Sequence, residues 1–316
     1  MNVLTSCKVK QSIQQNLIDT FPDVEFQFCK DIEEAEAHLP QAEVLITYGE
    51  DLTEAHIEKA SALKWIMVIS AGLDRMPFEK IAEKGILITN AKGIHKTPMA
   101  EYAIGMLLQV SRQAKQLYEN EKGHKWDRSV KMTEITGSTL MVVGAGAIGQ
   151  EVARLGKAFQ MKTIGVSRSA RPTEYFDESI TTDAMLARLN EADFVVSILP
   201  KTKDTEDFFR LQHFQAMKEK AVFLNMGRGD VVKEEDLIQA LEQGEIGHAV
   251  LDVFKEEPLP AEHPLWDMPN VTITPHLSGI SRHYQPRAFE IFKKNLEAYK
   301  AGNTNLINVI DPKRGY

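Results

Sequence analysis

The chain has 316 residues, of which 43% are hydrophobic and 26% are charged, a length and balance typical of a globular protein with two domains. Its net charge of -8, with no basic stripe to offset it, argues against a nucleic-acid-binding protein, and no apolar run is as long as a membrane span. The absence of a signal-peptide pattern and the presence of only two cysteines predict a cytoplasmic protein without a disulfide framework.

The first ninety residues alternate between predicted strands and predicted helices. The strands fall at 3–5, 24–28, 43–47, 65–69 and 86–89. The helices fall at 11–21, 32–39 and 54–60, with Thr53 as the N-cap of the third. This alternation predicts a βαβ domain with a parallel sheet.

A long helix is predicted at 99–121, directly after Pro98. Its apolar residues recur at helical spacing, as Ala100, Ala103, Ile104 and Leu107 do. A polar segment follows at 123–136 and contains one aromatic residue, Trp126.

A second series of strands and helices follows that segment. Its strands are predicted at 140–143, 163–166, 194–198, 221–225, 249–253 and 271–273. A last helix is predicted at 284–299, with Phe289, Phe292 and Leu296 on one face. No group of histidines and cysteines has the spacing of a metal site, so no metal is expected.

The most informative motif, Gly144-Ala145-Gly146-Ala147-Ile148-Gly149, lies between a predicted strand and a predicted helix. That context favours a dinucleotide-binding turn over an ordinary glycine-rich turn. Gly144 would permit the tight turn, Gly146 would let the backbone approach a pyrophosphate, and Gly149 would let the helix pack on the strand. The N–H groups at the start of the helix would face the anion.

Further motifs occur in a fixed order along nearly the whole chain. They are Ser70-Ala71-Gly72-Leu73-Asp74, Leu199-Pro200-Lys201-Thr202, Asn225-Met226-Gly227-Arg228-Gly229, Leu251-Asp252-Val253-Phe254-Lys255-Glu256-Glu257-Pro258 and Thr274-Pro275-His276-Leu277-Ser278-Gly279. Together with the glycine turn, they resemble the D-2-hydroxyacid dehydrogenase family. The resemblance implies an α/β protein with two Rossmann-like parallel-sheet domains. A cofactor domain at 98–282 would be inserted into a discontinuous, flavodoxin-like substrate domain at 1–97 and 283–316.

Three residues are candidates for the chemistry of hydride transfer to a 2-keto acid. Arg228 suits a carboxylate and a ketone oxygen, because a guanidinium is forked and always charged, and its neighbours Gly227 and Gly229 would leave room for close approach. His276, in a turn past a strand end, is the candidate acid and base. The resemblance selects Glu257 as the carboxylate that would favour the protonated form of His276.

Each candidate has a plainer interpretation. Arg228 could be a surface arginine in a turn, and His283 is the nearest rival to His276. Glu256 and Glu262 flank Glu257 in an acidic loop, and spacing alone does not separate the three. The fold is also shared by transcriptional corepressors that sense a cofactor.

The resemblance implies further contacts with substrate and cofactor. Ala71 and Gly72 would hold the substrate carboxylate through backbone groups, beside Arg228 and His276, whereas Asp74 would shape that loop. The cofactor contacts implied beyond the three glycines and the end of the second strand are Ala147, Ile148, Leu199, Pro200, Thr205, Met226, Gly227, Asp252 and Ser278.

The end of the second strand of the cofactor domain indicates which nicotinamide binds. An NAD-binding domain places an acidic residue there for the ribose 2′-OH, but this strand ends in Ser167-Arg168-Ser169. Serine can hydrogen-bond a 2′-phosphate, and Arg168 and Arg171 add positive charge. NADP(H) is therefore expected to be preferred, with NAD(H) as the alternative.

The expected function is an NADPH-preferring 2-keto acid reductase, whose substrate could be glyoxylate, hydroxypyruvate or a larger 2-keto acid. A phosphoglycerate dehydrogenase-like enzyme is an alternative, although no basic cluster for a substrate phosphate is evident. A cofactor-sensing, corepressor-like binding protein is another alternative. The resemblance also implies a homodimer that forms through the helix after Pro98 and the segment with Trp126.

Overall fold

The computed structural model describes residues 1–70, 72–73, 75–303 and 305–312. The chain divides into two compact units, and the second interrupts the first. Unit 1 comprises Met1–His95 and Ser281–Tyr316, and unit 2 comprises Lys96–Ile280. Within the described ranges, no helix has both the length and the apolar character needed to cross a bilayer.

Unit 1 contains a parallel five-stranded sheet in the order β2-β1-β3-β4-β5. The strands are β1 (Asn2–Ser6), β2 (Glu25–Cys29), β3 (Val44–Thr47), β4 (Trp65–Val68) and β5 (Leu87–Asn90). The helices are α1 (Gln11–Thr20), α2 (Ile32–Ala35), α3 (Glu54–Lys59), α4 (Phe78–Glu83) and α11 (Tyr284–Lys300). This strand order is the flavodoxin-like one.

The C-terminal helix completes the core of unit 1. Phe289, Phe292 and Leu296 of α11 are buried, as the helical spacing predicted. Trp65 of β4 is fully buried and stacks on Phe292, with ring centroids 5.4 Å apart. The indole Nε1 of Trp65 donates to Thr89 Oγ1 at 2.9 Å, so the polar tip of this large side chain is also satisfied.

Unit 2 contains a parallel seven-stranded sheet in the order β12-β11-β10-β9-β6-β7-β8. The strands are β6 (Thr139–Val143), β7 (Lys162–Ser167), β8 (Glu178–Thr181), β9 (Phe194–Ser197), β10 (Val222–Asn225), β11 (His248–Leu251) and β12 (Val271–Ile273). The helices are α5 (Lys96–Ser111), α6 (Ala114–Lys122), α7 (Ala147–Ala158), α8 (Thr182–Met185), α9 (Leu211–Gln215) and α10 (Glu234–Gln243). The order reverses between β6 and β9, the switch point at which ligands of open α/β sheets bind.

The two parallel α/β sheets expected from the sequence are confirmed. The single helix expected at 99–121 is wrong, because the chain breaks between α5 and α6, where Gln113 has φ +55°. The helix expected at 32–39 is also too long. It ends at Ala35, and a 3-10 segment that contains Pro40 follows at Glu36–Gln41.

Candidate active site

The three glycines of the motif after β6 occupy three different environments. Gly144 has φ +108°, and a Cβ there would lie 3.0 Å from the carbonyl oxygen of Ile198. A Cβ on Gly149 would lie 2.3 Å from the carbonyl oxygen of Gly144, so only glycine allows α7 to pack this closely on the turn. Gly146 is the N-cap of α7 and is exposed, and no atom lies within 4 Å of the place its Cβ would take.

The space in front of Gly146 suits a pyrophosphate. A helix of 12 residues starts at Ala147, and the N–H groups of its first turn have no carbonyl partner within the helix. Ala147 is exposed and Ile148 is partly buried on this first turn. Open space, free N–H groups and the positive end of the helix dipole are what a pyrophosphate needs.

The end of β7 is the next part of this site. Ser167 is the last residue of the strand and is partly buried, and Arg168 follows it and is exposed. Glu174 is the first carboxylate after the strand, and Arg171 precedes it. The end of β7 therefore presents a hydroxyl and a guanidinium, not an acid.

Two glycines allow the loops that carry the candidate catalytic residues to pack closely together. A Cβ on Gly227 would lie 2.4 Å from the carbonyl oxygen of Leu199, and one on Gly229 would lie 1.9 Å from the carbonyl carbon of Phe254. The expectation that these glycines leave room for a ligand is therefore corrected. Their missing side chains make room for the backbones of the loops after β9 and β11.

Arg228 lies between these glycines, and the loop around it is fixed from the end of β10. The side chain of Asn225 accepts from the N–H of Gly227 at 3.2 Å and donates to the carbonyl oxygen of Arg228 at 3.0 Å. The guanidinium Nη1 of Arg228 donates to the carbonyl oxygen of Gly227 at 2.9 Å, and the side chain is partly exposed. The amide of Asn225 thus sets the loop conformation from which the guanidinium projects.

His276 and Glu257 form a direct pair. His276 Nδ1 lies 2.8 Å from Glu257 Oε2, and both side chains are partly exposed. The other carboxylate oxygen, Oε1, accepts from the backbone N–H of Phe254 at 2.9 Å. Because Nδ1 faces the carboxylate, Nε2 is the ring nitrogen that can exchange a proton with a substrate.

The turn that carries His276 is held by a buried carboxylate. Asp252 is fully buried, and its oxygens accept from the N–H groups of Leu277 (2.8 Å) and Ser278 (3.0 Å) and from Thr274 Oγ1 (2.6 Å). The sequence predicted Asp252 and Ser278 as cofactor contacts. In the structure, all three of these bonds run from Asp252, directly after β11, to the turn after β12, and the cofactor contacts of Asp252 and Ser278 stay predictions.

The loop after β9 contains three of the other residues that the sequence predicted as cofactor contacts, namely Leu199, Pro200 and Thr205. Leu199 is buried and Pro200 is exposed, and the hydroxyl of Thr205 donates to the carbonyl oxygen of Pro200 at 2.6 Å, which closes the loop on itself. Met226 is buried directly after β10.

The predicted substrate loop and the rival histidine His283 both belong to unit 1. The carbonyl oxygen of Gly72 accepts from Ser70 Oγ at 3.0 Å, whereas Ala71 and Asp74 lie outside the described residues. His283, the rival of His276, accepts through Nε2 from Arg282 Nε at 3.1 Å. In the described part of the chain, no cluster of His, Cys, Asp and Glu could hold a metal ion.

Sequence reasoning missed Asn225, Thr274 and Tyr102. The first two stand inside quoted motifs, but no role was assigned to them. A polar residue that ends a buried strand was the available signal for Asn225. Tyr102 gave no signal, because its partner is Thr274 Oγ1, 2.7 Å away in space and far along the chain.

Comparison with known proteins connects this site to a family. Residues 104–278 match the family model described as D-isomer specific 2-hydroxyacid dehydrogenase, NAD binding domain. A glyoxylate/hydroxypyruvate reductase B of Escherichia fergusonii is 32% identical over 277 residues, which cover 86% of this chain and 85% of that protein.

Solved structures agree with this match. A D-isomer specific 2-hydroxyacid dehydrogenase family protein from Aeromonas salmonicida subsp. salmonicida A449 is similar with a TM-score of 0.89 and 33% identity, covering 98% of this chain and 99% of that one. An NADPH-dependent glyoxylate/hydroxypyruvate reductase from Sinorhizobium meliloti, in complex with NADP and sulfate, is similar with a TM-score of 0.82 and 28% identity. The match covers 100% of this chain and 99% of that chain.

Proposed function

The chain belongs to the D-isomer specific 2-hydroxyacid dehydrogenase family, NAD(P)-dependent enzymes that act on CH–OH groups, and from that premise we propose that it reduces a small 2-keto acid with NADPH. The product is the corresponding D-2-hydroxy acid. Glyoxylate and hydroxypyruvate head the substrates to be tested, because the similar proteins from E. fergusonii and S. meliloti are named for them.

The observation that carries this proposal is the contact of 2.8 Å between His276 Nδ1 and Glu257 Oε2. The loop with Glu257 touches the loop with Arg228, because Gly229 lies against the backbone of Phe254. A permanent cation and an acid–base pair therefore follow three neighbouring strands, β10, β11 and β12. This is the set of groups that a ketone next to a carboxylate requires.

Each residue has a defined task in the proposed reaction. Arg228 binds the substrate carboxylate and polarises the ketone oxygen, which lowers the cost of negative charge on that oxygen. When bound, the reduced nicotinamide supplies the hydride that forms the new C–H bond. His276, protonated and paired with Glu257, gives the proton from Nε2 to the forming alkoxide. Neutral imidazole accepts that proton in the reverse reaction.

The glycine turn and the end of β7 are the proposed cofactor site. The first turn of α7 holds the pyrophosphate, and Ser167 and Arg168 contact the 2′-phosphate of NADPH. The S. meliloti protein that is similar to this chain was solved with NADP, which supports the choice. A ribose without the phosphate would leave Arg168 without an anion, so NADH is the weaker cofactor.

The active protein is proposed to be a cytoplasmic homodimer. The helix α5 and the segment 123–136 form the contact, and the 92% exposure of Trp126 supports an apolar partner for this segment. Light scattering at micromolar concentration is then expected to give about twice the chain mass of 35.6 kDa. A monomer mass would contradict the dimer and leave the proposed chemistry intact.

The function is tested by following the oxidation of NADPH with a panel of 2-keto acids. Glyoxylate, hydroxypyruvate, phosphohydroxypyruvate and a branched 2-keto acid are compared, with H276A as the control. Turnover of an unphosphorylated 2-keto acid that is lost in H276A is the expected result. Turnover of phosphohydroxypyruvate alone would favour a phosphoglycerate dehydrogenase. Tight NADPH binding without turnover of any member would favour a cofactor sensor.

A further inference from the structure

Tyr102 lies outside every motif that identified the site, yet its hydroxyl begins a chain of hydrogen bonds that ends at the turn of His276. We propose that Tyr102 is a positioning residue for the acid–base histidine, and that it acts through Thr274 and the carboxylate of Asp252. The inference rests on the proposed function of His276. All four residues belong to unit 2.

The direction of the hydrogen bonds follows from the number of protons. A carboxylate only accepts, so the 2.6 Å bond between Thr274 Oγ1 and Asp252 Oδ1 uses the one hydroxyl proton of Thr274. The 2.7 Å contact between Tyr102 and Thr274 must therefore be a bond in which the phenol donates. Protons thus point from Tyr102 to Thr274 and from Thr274 to Asp252.

The carboxylate at the end of this chain fixes a strained turn. His276 has φ +54°, a left-handed conformation that is unfavourable for a residue with a Cβ. Its N–H donates to the carbonyl oxygen of Asp252 at 2.8 Å, and the next two N–H groups, of Leu277 and Ser278, donate to the carboxylate. Asp252 therefore holds the backbone on both sides of the imidazole, and its own orientation depends on Thr274.

Tyr102 is suited to anchor this chain. Burial raises the pKa of its hydroxyl well above the ordinary value, and the charge of Asp252 adds to the increase, so the phenol remains a donor at any working pH. The side chain projects from α5, a helix of 16 residues whose Ala103, Ile104 and Leu107 are buried in the core of unit 2. A second bond joins the following helix to the same strand, since Lys115 Nζ donates to the carbonyl oxygen of Val271 at 3.2 Å. Helices α5 and α6 therefore each contribute one hydrogen bond to residues 271–274, the segment that leads to His276.

Four single variants test the proposal. Y102F removes only the donor, and T274V removes the hydroxyl that relays it, while T274S keeps a hydroxyl and should rescue. Y299F is the matched control, because Tyr299 also donates a partly buried phenol bond, to Glu43 Oε1 at 3.3 Å, but belongs to unit 1, whereas the proposed chain of hydrogen bonds belongs to unit 2.

The expected result is a loss of kcat with little change in binding. In Y102F and T274V, kcat should fall about five- to twentyfold, while the Kd for NADPH should change less than about twofold. The double variant should lose no more kcat than the more impaired of the two single variants, because both changes break the same chain of hydrogen bonds. T274S and Y299F should keep kcat within about twofold of the wild type. Wild-type kcat in both Y102F and T274V would overturn the proposal.

A second readout does not depend on activity. Amide hydrogen exchange at Leu277 and Ser278, measured in the unliganded protein, should accelerate about fivefold in Y102F and stay unchanged in Y299F. Unchanged exchange in Y102F would overturn the positioning role. If the wild type reduced no 2-keto acid while Y102F still accelerated exchange, the proposed function would fail and the structural role of Tyr102 would stand.

Discussion

The contact between Gly229 and the loop after β11 allows a sharp test of how closely the site must be packed. In G229A the new Cβ would lie 1.9 Å from the carbonyl carbon of Phe254 and 2.2 Å from its oxygen. Real Cβ atoms essentially never come closer than 3.0 Å to such neighbours, so the two backbones must separate by about 1 Å. The atoms that must move are backbone, so no side-chain rotation relieves the overlap.

The displaced segment is the one that orients Glu257. The N–H of Phe254 donates to Glu257 Oε1, and Arg228 directly precedes the substituted position. Overpacking of this kind costs about 1–3 kcal/mol of stability. A misplacement of about 1 Å in a catalytic group costs on the order of 10²-fold in kcat. G229A should therefore lose both thermal stability and most of its turnover.

A matched control separates the two losses. Gly244 ends α10 with φ +72°, and no atom lies within 4 Å of the place its Cβ would take. G244A should cost about 1–2 kcal/mol through the left-handed backbone alone and should keep wild-type kcat. Thermal melts and NADPH oxidation with saturating 2-keto acid measure both quantities. A G229A protein with the melting temperature and kcat of the wild type would refute the reasoning.

Three further predictions concern the cofactor, the acid–base pair and a buried histidine. R168A should weaken the binding of NADPH about ten- to a hundredfold and leave the affinity for NADH unchanged, and S167D should shift the preference toward NADH. Equal losses of affinity for both cofactors in binding titrations of R168A would contradict the NADPH assignment. H276A should lower kcat by about 10² to 10⁴ without changing NADPH affinity, and near-normal kcat in H276A would end the mechanism. Burial lowers the pKa of His248 from 6.5 to about 4, and the charge of Lys115 adds to the decrease, so only the unfolded chain takes up this proton between those values. The neutral His248 therefore stabilises the folded protein above pH 6.5, and this contribution is lost as the pH falls toward 4, by about 2 kcal/mol at pH 5. H248Q should reduce the dependence of the free energy of unfolding on pH in this range, measured by urea unfolding. An unchanged pH dependence in H248Q would contradict the prediction.

The sequence was most informative where a backbone geometry or a close contact tolerates only one residue type. Gly144 and Gly149 have the tight turn and the close helix packing that their spacing predicted. The core face of α11 was also predictable, because Phe289, Phe292 and Leu296 recur at helical spacing and are buried.

Other elements gave a weak local signal. The strand β8 is short, partly exposed and polar at the edge of its sheet, so it lacks the apolar runs and the alternation that predicted the other strands. The break between α5 and α6 was missed because the helical pattern continues across it and the left-handed residue is Gln113 rather than a glycine.

The candidate site was predictable as single residues but not as a network. His276 and Glu257 stand in recognisable motifs, and their contact of 2.8 Å needed only two adjacent strands to end side by side. The bond from Tyr102 to Thr274 has no local pattern, because it depends on how α5 lies against β12. Likewise, Gly227 and Gly229 suggested room for a ligand, and only the fold reveals that two backbones occupy that room.

The interruption of unit 1 by unit 2 has a consequence for protein synthesis. The first ninety-five residues leave the ribosome early, but Trp65 lacks its partner Phe292 until α11 has been translated. Unit 2 is encoded without interruption, so its whole sequence is available before unit 1 can close. Unit 1 is thus begun first and finished last, and its N-terminal segment lacks the core contacts of α11 while unit 2 is made.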